Sequence, residues 1–274
     1  MERNAATTLN AQGAAVYPAG TPLLQVAGLD VVAGARLLVR ALSFELRAGD
    51  FLAVLGCNGS GKTLTMHTLA GLRAAEVGEI SYRGNALRGM PRRAVAREVA
   101  LLPQVDSEGQ TTTVLEHVLL GRHAHLATWR WSGAVDEAIA CAALGSVGLQ
   151  GFAHRSLDTL SGGEQRRANC ALTLAQQSSV LLLDEPSNHL DPQHALAVLG
   201  VFKSRSQQGA AVIATLHDPT LAARYATHIL LLLGDGRWRL GDAVQMLDPA
   251  LLSELYGTAM GSAVLDGRTI FAAL

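Results

Sequence analysis

A chain of 274 residues is long enough for one large α/β domain, or a core domain with an inserted subdomain, and needs no disulfide or metal staple to hold a core. A formal charge of −1 and a pI near 6.8 supply no long-range attraction for nucleic acid or an anionic bilayer, so nucleic acid is not the expected partner. The longest apolar runs, such as ILLLL at 229–233, are strand-sized, far short of the roughly 18 residues of a membrane span. In chain order, residues 1–22 show no sustained period and read as a mobile extension. LLQVAGLDVV and LSFEL read as strands, FLAVLG (51–56) as a short apolar strand ending at glycine, and TLTMHTLAGL (63–72) as a helix stopping at Gly71. From Gly89 to about Gln177 the pattern is mostly helical (PRRAVAREV, TVLEHVLLGRH, AVDEAIACAALGSVGL, GEQRRANCALTLAQQ), with VALLPQ (99–104) the one strand among them. Strand and helix then alternate: VLLLDE (180–185), PQHALAVLGVFKSR, AAVIATLH (210–217), PTLAARYA, HILLLL (228–233). Strands separated by helices of about 10–15 residues predict an α/β fold with a parallel sheet covered on both faces and the helical middle inserted between its two halves.

The start MERNAATTLNAQGAA has no basic segment leading into an apolar one, and a cytosolic location is expected. The cysteines Cys57, Cys141 and Cys170 share no metal-ligand spacing and are read as reduced thiols packed as small buried hydrophobes. Of 22 basic residues only Lys62 and Lys203 are lysine. The mean hydropathy of +0.23 fits the doubly covered sheet, with an apolar docking surface as the other source.

The stretch GCNGSGKT fits G-x-x-x-x-G-K-[ST] in the strand-loop-helix setting that motif requires. The loop (Gly56, Asn58, Gly59, Ser60, Gly61) and the following helix N-terminus present orphan N–H donors and a positive dipole end to phosphates. Lys62 is expected on the β- and γ-phosphates and Thr63 on Mg²⁺, with Thr65 counted in the same phosphate site. The ligand implied is a nucleoside triphosphate. VLLLDE ends in Asp184, placed to hold the magnesium shell, and Glu185, which points the other way and suits an attacking water. A small-molecule kinase, a GTPase and a motor are equally compatible with these two elements. LSGGEQ (160–165) adds a second anion site, in which Ser161 caps a helix whose first residues are Gly162, Gly163 and Glu164.

With that motif the sequence resembles the ABC ATPase family, whose signature LSGGQ is written LSGGE here. The resemblance runs from about Leu24 to about Leu247. It implies a P-loop NTPase (RecA-like) core, an antiparallel β subdomain and an inserted α-helical subdomain at about 89–177. The ABC domain would then span 23–274, with 248–274 as a C-terminal appendage. It also implies ATP and Mg²⁺ as ligands and assigns three further residues. Gln104 matches the glutamine touching Mg²⁺ and the attacking water, Asp191 in SNHLD matches the loop crossing a dimer interface, and His217 matches the switch histidine on the γ-phosphate. Two copies are expected head to tail, Ser161 and Gly163 of one closing over the phosphates held by Lys62 of the other. One departure is Ala33, in VVAG, where the family usually carries an adenine-stacking aromatic; van der Waals contact with Ala33, Arg36 and neighbours is left to hold the base.

Within the family, Thr113, Val114, Glu116, Val118, Gly121, Arg122 and His125 are similar to the TV-x-E-x-V-x-x-GR-x-x-H pattern of importer subunits for iron-siderophore, haem and cobalamin uptake. That similarity implies two copies of a permease as partners, a substrate-binding protein acting indirectly, and a location at the cytoplasmic face of the cell membrane. The stretch Val105 to Trp131, with Trp129 and Trp131, is the expected docking surface. The other reading is an ABC-type ATPase of iron–sulfur cluster assembly or DNA repair; the long coiled-coil insertions or paired ATPase halves usual in DNA-repair members do not occur here.

Overall fold

The structure is a computed structural model that describes residues 8–9, 15–104, 112–126 and 132–274. Two short strands, β1 (Thr8–Leu9) and β2 (Ala15–Val16), pair antiparallel. The long hairpin β3 (Pro22–Ala33) and β4 (Arg36–Arg47) follows, then β5 (Phe51–Leu55) and α1 (Lys62–Leu69). Next come β6 (Glu79–Tyr82), β7 (Asn85–Ala86), α2 (Arg92–Glu98) and β8 (Val99–Leu102). The helical stretch holds α3 (Val114–Leu119), a 3₁₀ turn at Leu120–Arg122, α4 (Ala134–Ser146) and α5 (Gly162–Ala175). The chain returns through β9 (Val180–Leu183), α6 (Pro192–Gln207), β10 (Ala211–Thr215), α7 (Pro219–Tyr225) and β11 (His228–Leu232). It ends with β12 (Trp238–Asp242), α8 (Ala243–Met246), α9 (Pro249–Tyr256), β13 (Met260–Leu265) and β14 (Arg268–Ala273).

The central sheet has the order β12-β11-β5-β10-β9-β8, parallel throughout except for the edge pair β11 and β12. Its strands carry apolar residues on both faces because both are covered. Phe51, Ala53 and Leu55 of β5 pack with the helical side, including α5, α6 and α7, while Leu52 and Val54 pack with α1 and the β3–β4 hairpin. The same alternation in β9 sends Leu181 and Leu183 one way and Val180 and Leu182 the other. The second sheet, β4-β3-β6-β7, is wholly antiparallel. Among the described residues no helix is long and apolar enough to cross a membrane.

Three expectations need adjustment. Residues 17–22 of the supposed extension are tied down: Tyr17 is 8% exposed under the Arg83 guanidinium, and Ala48 exchanges backbone hydrogen bonds with Gly20 and Thr21. VALLPQ is not part of the helical middle: β8 is the edge strand of the main sheet, so the inserted helices lie between β8 and β9. Of the three cysteines, none of them in a disulfide, only Cys170 is buried, while Cys57 and Cys141 are exposed.

Candidate active site

Four adjacent parallel strands, β5, β10, β9 and β8, end along one edge of the sheet, where the carboxyl ends of α/β strands meet their ligands. Gly56 follows β5, His217 lies just beyond β10, Asp184 and Glu185 follow β9, and Gln104 lies just beyond β8. Residues far apart in sequence therefore reach one place.

The loop after β5 is shaped by close approach. A Cβ on Gly56 would lie 2.5 Å from Ser60 Oγ and 2.7 Å from the Leu232 carbonyl oxygen, so only glycine fits. Gly61, at φ +99, supplies the left-handed residue from which α1 starts. Cys57, Asn58 and Gly59 are exposed at the loop's crest. Lys62 is 6% exposed and its ammonium donates to the Gly56 carbonyl at 2.8 Å and the Cys57 carbonyl at 3.1 Å. Burial pushes its pKa down, with Glu185 and Asp184 opposing that shift. Ser60 Oγ is enclosed without a hydrogen-bond partner among the described residues. Thr63 stands half-buried in the first turn of α1. Thr65, read with the phosphate site, is instead taken up by the helix: it is buried and its hydroxyl donates to the Gly61 carbonyl at 2.8 Å.

Asp184 is fully buried. Its Oδ1 accepts from the Thr215 hydroxyl at 2.7 Å, and its Oδ2 is enclosed with no partner among the described residues. A buried carboxylate oxygen without a donor is costly unless a cation or hydrogen bond meets it, so this atom is chemically matched to a hard divalent cation. The Thr215 hydroxyl also accepts from the Glu185 N–H at 2.8 Å, fixing both acidic residues at once. Glu185 sits at φ +50, a conformation that costs energy for a side-chain-bearing residue and that clusters at functional sites. Its carboxylate is 8% exposed and gathers three partners: His217 Nε2 lies 2.7 Å from Oε1, Gln104 Nε2 donates to Oε2 at 3.0 Å, and the Asn188 amide donates to the same oxygen. Thr215 and Asn188 were not singled out from the sequence. The available signals were a hydroxyl two residues before His217 and an amide inside SNHLD.

Ser161 and Gly162 are exposed at the start of α5, where a reciprocal capping box is complete: Ser161 Oγ accepts from Glu164 N at 3.3 Å and Glu164 Oε2 accepts from Ser161 N at 2.8 Å. These hydrogen bonds hold the Glu164 carboxyl below its usual range. Gly163 packs beside Leu190 and the His189 carbonyl. Asp191 caps α6, accepting from His194 N at 2.9 Å, and contacts the His194 ring at 2.7 Å. One helical turn past Ser161, the buried Arg166 donates to the carbonyls of Pro103 (2.6 Å), Asp184 (2.7 Å) and Glu185 (2.8 Å). It ties the signature helix to both acidic residues and to the strand end before Gln104.

Residues 39–188 match the family model described as ABC transporter. The chain belongs to the ABC transporter family. It is 38% identical, over 86% of its own length and 92% of the relative's, to the hemin import ATP-binding protein HmuV of Pseudomonas entomophila. It is 32% identical, over 85% of its own length and 86% of the relative's, to the petrobactin import ATP-binding protein FpuD of Bacillus anthracis. Among solved structures, a chain from an ABC transporter described as of the metal-chelate type, in an inward-facing conformation, superposes with a TM-score of 0.81 at 29% identity. That match covers 92% of this chain and 98% of the other. As members of the ABC family do, this chain binds ATP.

The importer-like pattern is mostly internal in this ABC chain. Thr113 caps α3 and forms a capping box with Glu116; Val114 and Val118 are buried in the core. A Cβ on Gly121 would meet the Leu172 carbonyl oxygen at 2.4 Å, so the 3₁₀ turn after α3 touches α5 there. Arg122 is buried, pairing with Asp136 at 2.9 Å and donating to the Ala175 carbonyl, and His125 Nε2 is 2.7 Å from the Gln176 carbonyl oxygen. Gly121, Arg122 and His125 join the helical lobe to the end of α5, while Glu116 and His125 are exposed. Val105, Trp129 and Trp131 lie outside the described residues.

Proposed function

We propose that this chain is the ATP-hydrolysing subunit of an importer that moves a metal chelate, such as haem, an iron–siderophore or cobalamin, through a separate permease. The observation that carries the hydrolytic part is the convergence of Gln104, His217 and Asn188 on the Glu185 carboxylate, beside the unpaired oxygen of Asp184. The triphosphate lies on the loop from Gly56 to Gly61 at the N-terminus of α1. Lys62 exchanges its bonds to the Gly56 and Cys57 carbonyls for β- and γ-oxygens. Asp184, Thr63 and Gln104 would hold Mg²⁺, which when bound neutralises charge on the β- and γ-phosphates; one carboxylate with a hydroxyl and an amide is the sparse oxygen set this ion accepts alongside phosphates. Glu185 orients a water against the γ-phosphorus and takes its proton as the new P–O bond forms and the bond to the β-phosphate oxygen breaks. For this, one of the three hydrogen bonds on its carboxylate gives way to the water's. His217 reaches the γ-phosphate from the neighbouring strand.

The names of the relatives support the importer reading, and the solvent-exposed start of α5 at Ser161 and Gly162 supports a head-to-tail dimer. In it, α5 of one copy and Asp191 complete the site of the other. Two permease copies and, through them, a substrate-binding protein are the remaining partners, with this subunit at the cytoplasmic face of the cell membrane. Glu185→Gln tests the catalytic assignment: nucleotide affinity stays near wild type while phosphate release falls by about 10²–10⁴. Near-normal turnover would end it. Purification from the native membrane tests the importer assignment, which requires a polytopic permease in the complex.

A further inference from the structure

The end of α9 lies against the active site although it belongs to none of its motifs. Two consecutive residues make the contact. The carbonyl of Leu255 accepts from the thiol of Cys57, at the crest of the phosphate loop, at 3.2 Å. The phenol of Tyr256 donates to the backbone carbonyl of His217 at 3.3 Å. The helix that presents them is firmly held. Leu252 and Leu255 are buried in the main core, Asp248 caps its first turn, and Glu254 is bonded to both Arg237 and Arg239. The hairpin beyond it grips the same region from the other flank: Phe271 N donates at 3.1 Å to the hydroxyl of Thr220, in the first turn of α7 and three residues after His217. The C-terminal segment therefore touches the chain at His217 itself and again at Thr220.

His217 needs such support. Its side chain is 46% exposed, so packing alone does not fix the ring at 2.7 Å from Glu185. Tyr256 is partly buried, and burial, with the neighbouring Cys57 and Asp218, pushes its phenol up to about 12, so it stays a donor across the whole working range.

We infer that Tyr256 is a positioning residue for ATP hydrolysis: it holds the His217 backbone so that the imidazole meets the Glu185 carboxylate, and α9 thereby sets the spacing between the switch loop and the phosphate loop. This rests on the catalytic reading of Glu185 and His217 given above. Tyr256 acts through His217 and touches no reacting atom, so its removal lowers kcat and leaves KM for ATP nearly unchanged. The loss depends on His217 being there.

The test is a double-mutant cycle on the full-length chain, with Tyr256→Phe, His217→Ala and the pair. Tyr256→Phe keeps the ring and its packing; an unchanged thermal midpoint shows that the fold is intact. The expected result is a kcat lowered about three- to tenfold, the scale of one hydrogen bond, with KM within about twofold of wild type. The His217 ring ¹³Cε1 resonance, assigned from its loss in His217→Ala, shifts in Tyr256→Phe. In the His217→Ala background Tyr256→Phe adds no further loss. Wild-type kcat for Tyr256→Phe, a full additional loss in the double variant, or a rise in KM in place of a fall in kcat overturns the positioning role while leaving Glu185 and His217 in theirs. If His217→Ala and Glu185→Gln both hydrolyse ATP at the wild-type rate, the catalytic reading itself fails and the positioning role falls with it.

Discussion

The Thr215 hydroxyl serves two acidic residues at once, accepting from the Glu185 amide and donating to Asp184 Oδ1, both inside the protein. Valine has nearly the same shape but neither function. Thr215→Val leaves a buried carboxylate oxygen and a buried N–H without partners, each a desolvated group costing about 1–3 kcal/mol. The expected outcome is a loss of about 2 kcal/mol or more in urea unfolding, with ATP turnover lowered about tenfold or more as Glu185 loses its anchored amide. Unchanged unfolding would mean that water satisfies both groups. At Ala33, exposed at the end of β3, the nearby Arg36 guanidinium is engaged by the Gly234 carbonyl at 2.8 Å, and a Cβ on that glycine would lie 3.0 Å from Ser60 Cα. The hairpin tip is thus held close to the phosphate loop through Arg36 and Gly234.

Among the elements, α5 links the site to the helical lobe. Its N-terminus carries Ser161, its second turn carries Arg166 to the backbone at Pro103, Asp184 and Glu185, and its C-terminal half receives α3 and Arg122. A movement of the helical lobe is therefore transmitted to the acidic strand end through one guanidinium. The closest approach is Gly121 against the Leu172 carbonyl. A methyl group there has to push two backbones apart, which costs about 1–3 kcal/mol. Gly121→Ala is expected to lower unfolding stability by that amount while nucleotide affinity changes less than about twofold, because Lys62 and its loop lie on another element. A substitution that leaves stability untouched would show that the contact between Gly121 and α5 is looser than these distances.

At the scale of the whole molecule the two anion sites face solvent separately: Cys57 to Gly59 on the phosphate loop, and Ser161 with Gly162 at the start of α5. In the proposed head-to-tail pairing each site is made from two copies, and a mixing experiment distinguishes shared from self-contained sites. Lys62→Ala and Ser161→Arg should each abolish turnover alone. Mixed in equal amounts, half of the dimers pair one of each and carry one intact site, so about a quarter of all sites recover. Turnover in the mixture no higher than in the parents would mean that Ser161 does not complete the partner's site.

What the sequence by itself determined is what short-range geometry determines. The phosphate loop, the capped start of α5 and the acidic end of β9 are each contained in fewer than about ten residues, where spacing alone dictates strand, turn and helix. The continuous apolar runs of β5, β9, β10 and β11 were legible for the same reason. The short strands β6, β7 and β12 and the hairpin β13–β14 were not, because polar or exposed strands have no strong apolar period and exist through pairing with neighbours. Only the tertiary structure decided which side chains meet. Glu185 is bound by Gln104 and His217, 81 and 32 residues away, because β8, β9 and β10 are neighbours in the sheet. The run from Thr113 to His125 reads in sequence as a surface and is in fact largely a seam: whether Val118, Gly121 or Arg122 meets solvent or α5 depends on where a distant helix packs, and local spacing carries no information about that.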